Sequence, residues 1–167
     1  MKEKEVKNLI EKLNRRAHDA TRICLFKGCK VQSIQSHLLQ KKGIINQIAE
    51  HNHVIELGIN NFKTDKFYFK RIGINESFTF PGFCAQHDHL IFREIENENT
   101  DYSSYRTQLL LSYRAVMNEK RKKEIAIDSY NRILNSNTLS PYLTNDYKKR
   151  LRQGIDGYNA GIRDELY

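Results

Sequence analysis

The hydrophobic positions of this chain change rhythm several times between its ends. Val6, Leu9, Ile10, Leu13 and Ala17 recur at helical spacing among lysines and glutamates, which predicts an amphipathic helix over 2–17. After a polar break, "RICLFKGCKVQSIQSHLL" places Gly28 between two cysteines, as a tight knuckle would. In "KVQSIQSH", Val31, Ser33 and Gln35 alternate with Gln32, Ile34 and Ser36, predicting a short strand that ends near His37. "HVIELGIN" and "KFYFKRIGI" are rich in β-branched and aromatic residues and flank the polar "NFKTD", the pattern of a β-hairpin. Pro81 and Gly82 mark a turn before Cys84, and a helix is expected from Ala85 with Leu90, Ile91, Phe92 and Ile95 on it.

The last third is helical in rhythm. From about Ser103 to Leu134 the apolar spacing fits one long helix or two abutting ones, interrupted by "KRKK" at 120–123. "NSNTLSP" at 135–141 is the clearest break. Tyr147, Leu151, Ile155, Tyr158 and Ile162 then predict a further helix whose pattern is still running at Tyr167. Either that helix ends there or the sequence is the front portion of a longer one. The expected organisation is a leading helix (1–20), a central domain with an inserted hairpin (21–100) and a helical extension (101–167).

Composition narrows the setting. The 167 residues contain no run of 18 apolar ones, so no membrane-spanning helix is expected, and the charged N-terminus lacks the apolar stretch of a signal peptide. A cytoplasmic protein with reduced cysteines is the expectation. A net charge of +8 suits a polyanionic partner such as nucleic acid, because neutralising phosphates releases counterions.

Three cysteines cannot all pair with one another, which favours thiols or thiolate ligands. Cys24 and Cys29 form a C-x4-C knuckle, within the range that lets two thiolates grip one Zn²⁺, and Cys84-x2-His87 supplies a second half-site. Together they make a Cys₃His set that would clip the intervening chain and contribute folding energy. The plain alternative is three small buried residues and a surface histidine.

Beyond these four ligands, His37 and Asp88 are left over. "CLFKGC…IQSHLL…GFCAQHD" resembles the zinc-containing branch of the HNH (ββα-metal) endonucleases. The resemblance covers about residues 22–96 and implies a zinc-stabilised ββα-metal core; with the helices read from the apolar spacing, the expected fold is α+β, that core carrying an N-terminal helix and a helical C-terminal extension. It implies a metal-dependent endonuclease acting on DNA or RNA, of a kind found in bacterial defence and mobile elements. In that reading Cys24, Cys29, Cys84 and His87 hold structural zinc. His37 is the general base, and Asp88 binds a catalytic Mg²⁺ or Mn²⁺ ion. The sequence departs from the family pattern in several places. The first knuckle is C-x4-C, "SHLLQ" lacks the usual proline, the second half-site ends in His, and the hairpin lengthens the gap after His37. The family's asparagine has no secure match, Thr79 and Asn75 being the nearest residues.

That last departure supports a rival reading, a non-catalytic zinc module that binds nucleic acid or a protein. A third is assembly, since the Tyr147–Ile162 stripe could dimerise or take a protein partner. The other candidates read as surface or core. His18, His51, His53 and His89 are expected on the surface, Glu94, Glu96 and "KRKK" on solvated faces, and most of the nine tyrosines and eight phenylalanines in the core.

Overall fold

The computed structural model describes residues 1–40, 44–59, 67–97 and 99–164. The chain divides into two units, one joining Met1–Arg22 to Val116–Tyr167 and the other running from Ile23 to Ala115. No helix among the described residues is long and apolar enough to cross a membrane.

In the first unit the stripe read from the N-terminus forms α1 (Glu3–His18), opened by the Glu5 carboxylate accepting the Lys2 N–H at 2.7 Å. The open question of one helix or two is settled as one: α4 spans Tyr105–Leu134, and its second half belongs to this unit. The break at 135–141 leads through a 3₁₀ turn at Ser140–Tyr142 into α5 (Asn145–Asp164), where the Thr144 hydroxyl caps the Tyr147 N–H at 3.2 Å. Ile10 of α1, Ile133 of α4, Leu151 of α5, and Leu139 and Leu143 between them make a buried cluster with Tyr147 packed on it. The stripe of α5 is thus used inside the unit, and Tyr158 faces Tyr130 with ring centroids 5.9 Å apart. The close approach of α5 to α4 needs Gly154, where a Cβ would come within 2.7 Å of the Tyr130 ring. The run "KRKK" is not a uniformly solvated face. Arg121 is buried and pairs with Glu124 at 2.6 Å, while Lys122 pairs with Glu119 at 2.7 Å.

In the second unit the order is β1 (Gln35–His37), α2 (Asn46–Ile48), β2 (His53–Ile59), β3 (Phe67–Gly73), β4 (Thr79–Pro81) and α3 (Ala85–Phe92), then the start of α4. The expected strand at 31–37 is shorter than its alternation suggested, because only Gln35–His37 finds a ladder partner and Gln32 makes an isolated bridge to Ile23. β1 pairs antiparallel with β4, setting Ser36 against Phe80 and His37 against Thr79. The hairpin forms as expected, β2 antiparallel to β3 with Val54 opposite Ile72 and Leu57 opposite Phe69. Its joining "NFKTD" lies outside the described residues. The inserted ribbon is anchored at its base, where Val54, Ile45 and Ile74 are buried together.

Behind α3 sits an aromatic cluster. Phe83 meets Phe92 at 5.4 Å and Tyr113 of α4 at 6.0 Å between centroids. The guanidinium of Arg114 lies 4.0 Å over the Phe92 ring and its Nη1 is 2.7 Å from Glu96, although Arg114 is only 1% exposed. Glu94 and Glu96 lie on the exposed face expected of them, and each also holds an arginine, Glu94 pairing with Arg106 through both carboxylate oxygens.

Asp128 is the charged tie of the first unit. Burial alone would raise its carboxyl, but hydrogen bonds from Arg132 at 2.9 Å and Arg22 at 2.8 Å outweigh this and hold it below the usual range. Arg22 also donates to the Ala17 carbonyl at 2.6 Å, so the pair fastens the end of α1 to α4. A carboxyl lowered by folding stabilises above its unfolded value of about 3.9, and that contribution is lost as pH falls through the lowered one. Asp128→Asn should therefore cost about 1–3 kcal/mol at neutral pH in urea unfolding. The gap to wild type should narrow below about pH 4. A gap independent of pH would contradict this account.

Candidate metal centre

The knuckle is built by backbone hydrogen bonding. The Cys24 N–H donates to Val31 O at 2.8 Å and the Cys29 N–H to Phe26 O at 3.0 Å, with Gly28 at φ 81° supplying the left-handed residue of the turn. The Phe26 N–H points at Cys24 Sγ, 3.4 Å away. Cys84 is the N-cap residue of α3, so His87 one turn later returns to the same side. Two further bonds hold the halves in register: Leu25 N–H to Gly82 O at 3.0 Å and Ile34 N–H to Phe83 O at 2.8 Å.

The result brings the four predicted ligands together. The donor atoms of Cys24, Cys29, Cys84 and His87 all lie within 4.8 Å of one another, with Cys24 and Cys84 buried and the other two half-buried. Nδ1 of His87 is 3.2 Å from Cys84 Sγ and 3.5 Å from Cys24 Sγ. A tetrahedral zinc with ordinary Zn–S and Zn–N lengths would set such pairs about 3.6 Å apart. Phe26 stacks on the His87 imidazole at 4.0 Å and 12°, fixing the ring with Nδ1 toward the sulfurs. All three cysteines are free thiols, and all three belong to this group.

The electrostatics suit a cation. Burial pushes the Cys24 thiol up, against backbone N–H groups of Cys84 and Phe26 that favour the thiolate. Cys84 is held below the usual thiol range, chiefly by the His87 backbone N–H. Ionising all three thiols side by side needs a compensating charge, which a divalent metal supplies. Soft sulfur with one imidazole, closed on four sides, fits zinc in a structural role. The cluster could bind a metal ion such as zinc.

No protein-family model, no curated protein and no solved structure matches the chain.

The remaining predicted site residues lie outside this cluster. His37 ends β1, and its Nε2 lies 3.3 Å from the Ile74 carbonyl. A carbonyl can only accept, so the ring proton of a neutral His37 resides on Nε2 and Nδ1 is its basic nitrogen. Asp88 is in the first turn of α3, where its Oδ1 is buried without a hydrogen-bond partner among the described residues. Neither belongs to a group of three or more His, Cys, Asp or Glu donors among the described residues. Thr79 faces His37 across the ladder, but its hydroxyl donates to Glu76 O at 2.9 Å. His89 is exposed, and His53 Nδ1 is 2.6 Å from the His51 carbonyl.

Phe78 was not singled out from the sequence. It holds φ 53° while 45% exposed, and its carbonyl accepts the Leu38 N–H at 2.7 Å, next to His37. A bulky residue there costs about 1–2 kcal/mol. Only an asparagine- or glycine-like position would have signalled such a conformation in advance, and phenylalanine does not.

Purified chain should carry about one equivalent of zinc. Cys84→Ser should lose it and lower the unfolding temperature of the second unit, as should a strong chelator acting on wild type. Phe26→Ala should keep the four ligands but bind zinc more weakly, because the imidazole loses its stacking partner. Metal content below half an equivalent, with Cys84→Ser as stable as wild type, would remove the site.

Proposed function

We propose that the second unit is a metal-dependent nuclease of the HNH (ββα-metal) type, hydrolysing phosphodiester bonds of nucleic acid. The observation that carries this reading is the state of His37. Its Nε2 is engaged by the Ile74 carbonyl, and Nδ1 is left as the nitrogen able to take a proton. That is how a general base is held in one tautomer. The order β1, β4, α3 supports the same reading, with His37 ending the first strand and the Cys84–His87 half-site opening the helix.

Asp88 is the second participant. A buried carboxylate oxygen lacking a partner is costly, and a hard cation such as Mg²⁺ or Mn²⁺ is a ligand that would satisfy it. When bound, such an ion would polarise the phosphate and stabilise the leaving oxygen. The chain's own residues then divide the work. His37 Nδ1 would take the proton of the attacking water, Asp88 would help hold the ion, and the Cys₃His group would fix the start of α3 from which Asp88 projects. The charge of +8 favours a polyanionic substrate.

A second reading, a non-catalytic zinc module for nucleic acid or a protein partner, is favoured by one observation. Thr79 occupies the ladder position opposite His37, its hydroxyl is committed to Glu76, and no asparagine stands there.

The two readings separate in a cleavage assay on plasmid DNA and on RNA with Mg²⁺ or Mn²⁺. Under the nuclease reading His37→Ala lowers the rate by about 10²–10⁴-fold. Asp88→Asn lowers it and raises the divalent-ion concentration needed, while both variants keep their zinc. No cleavage by wild type with any divalent ion, or equal cleavage by His37→Ala, removes the catalytic claim.

A further inference from the structure

The β2–β3 ribbon presents one face that the zinc group and the core do not use. By register, Ile55 and Leu57 of β2 share that face with Phe67, Phe69 and Arg71 of β3. These residues are exposed, with Phe69 at 76%, Ile55 at 75% and Phe67 at 64%. On the opposite face Tyr68 lies over Gly58, and Lys70 is paired with Glu56 at 3.4 Å. The ribbon's one acidic side chain among the described residues is thus on the far side, already neutralised.

Large aromatics left in water cost solubility, and their arrangement here has a chemistry of its own. Phe67 and Phe69 are two positions apart on one strand, so their rings repeat about every 6.6–6.8 Å along it. Alternating aromatics on an open sheet face, flanked by a cation, are what bases of an extended single strand stack on. The pairing of exposed phenylalanines with Arg71, in a chain of charge +8, matches a polyanion carrying flat apolar rings.

We propose that this face of the β2–β3 ribbon binds single-stranded nucleic acid, with Phe67 and Phe69 stacking on bases and Arg71 facing phosphate. The proposal deepens the nuclease reading by naming the strand form that its unit engages, and it rests on that reading for its connection to cleavage.

The test is made on the full chain by fluorescence anisotropy, with labelled oligothymidylate or oligouridylate of about twelve nucleotides and a duplex of equal length. No Mg²⁺ is added, so binding is read apart from catalysis. Either single strand should bind at least about tenfold tighter than duplex. Phe69→Leu, which keeps an apolar side chain at an exposed position, should weaken that binding about tenfold, and Phe69→Trp should restore it. Zinc content and unfolding temperature should be unchanged in both. His37→Ala should bind as wild type does, so a failed cleavage assay leaves this result standing. Equal binding by Phe69→Leu overturns the proposal. So does a chain that is dimeric at micromolar concentration and becomes monomeric with Phe69→Ser, which would make the face a contact between two copies.

Discussion

Three sulfurs and an imidazole nitrogen gathered within 4.8 Å are the constraint on which the second unit turns. Neutral thiols attract one another too weakly to hold two distant chain segments together. A divalent cation changes that, because each sulfur becomes a charged ligand and the group becomes a cross-link. Everything between Cys29 and Cys84 is then a closed loop: β1, the ribbon and the return to β4. The entropy of closing so long a loop grows only slowly with its length, so a ribbon can be inserted there at little cost. The backbone bonds from Leu25 to Gly82 and from Ile34 to Phe83 align the halves independently of any metal.

The same frame decides what a reactive group could do. β1 and β4 are three residues each, too short to be stable alone, yet they carry His37 and Thr79 in fixed opposition. Beyond them the buried Gln40 accepts from the Tyr102 hydroxyl at 3.0 Å and donates to Asn97 O at 2.7 Å. The segment after His37 is therefore tied to the segment after α3. A histidine held at its ring by Ile74, on a strand held at both ends, has a restricted orientation, which is what the proposed role as a base would need.

What the sequence made legible follows the range of each interaction. Metal-ligand spacing is local chemistry, so C-x4-C and C-x2-H could be read before any fold was known. The hairpin and the helices announced themselves by periodicity, which is also local. Burial of charge was not legible. Arg114 and Arg121 look like surface arginines, yet Thr107, Arg114, Met117 and Arg121 step along one buried face of α4. Phe92 and Glu96 meet Arg114, and Glu124 meets Arg121. The joining of residues 1–22 with 116–167 was equally hidden, because Ile10 meets Ile133 and Leu151 across most of the chain.

Buried polar atoms without hydrogen-bond partners are rare enough that each needs a reason. For Arg114 the reason is present: Glu96 lies at 2.7 Å and the Phe92 ring at 4.0 Å, so charge and ring compensate nitrogens that no acceptor meets in line. Arg22 and Arg121 stand in ion pairs with Asp128 and Glu124. Asp88 differs from all three. Its Oδ1, on the residue after the candidate metal ligand His87, is buried with no hydrogen-bond partner among the described residues. That oxygen loses solvation without a hydrogen bond to compensate it. Of the buried unpartnered atoms in this unit, Asp88 Oδ1 is the one with no counter-charge beside it among the described residues, and the proposed divalent ion would be what compensates it, so the catalytic reading depends on it more than on the zinc.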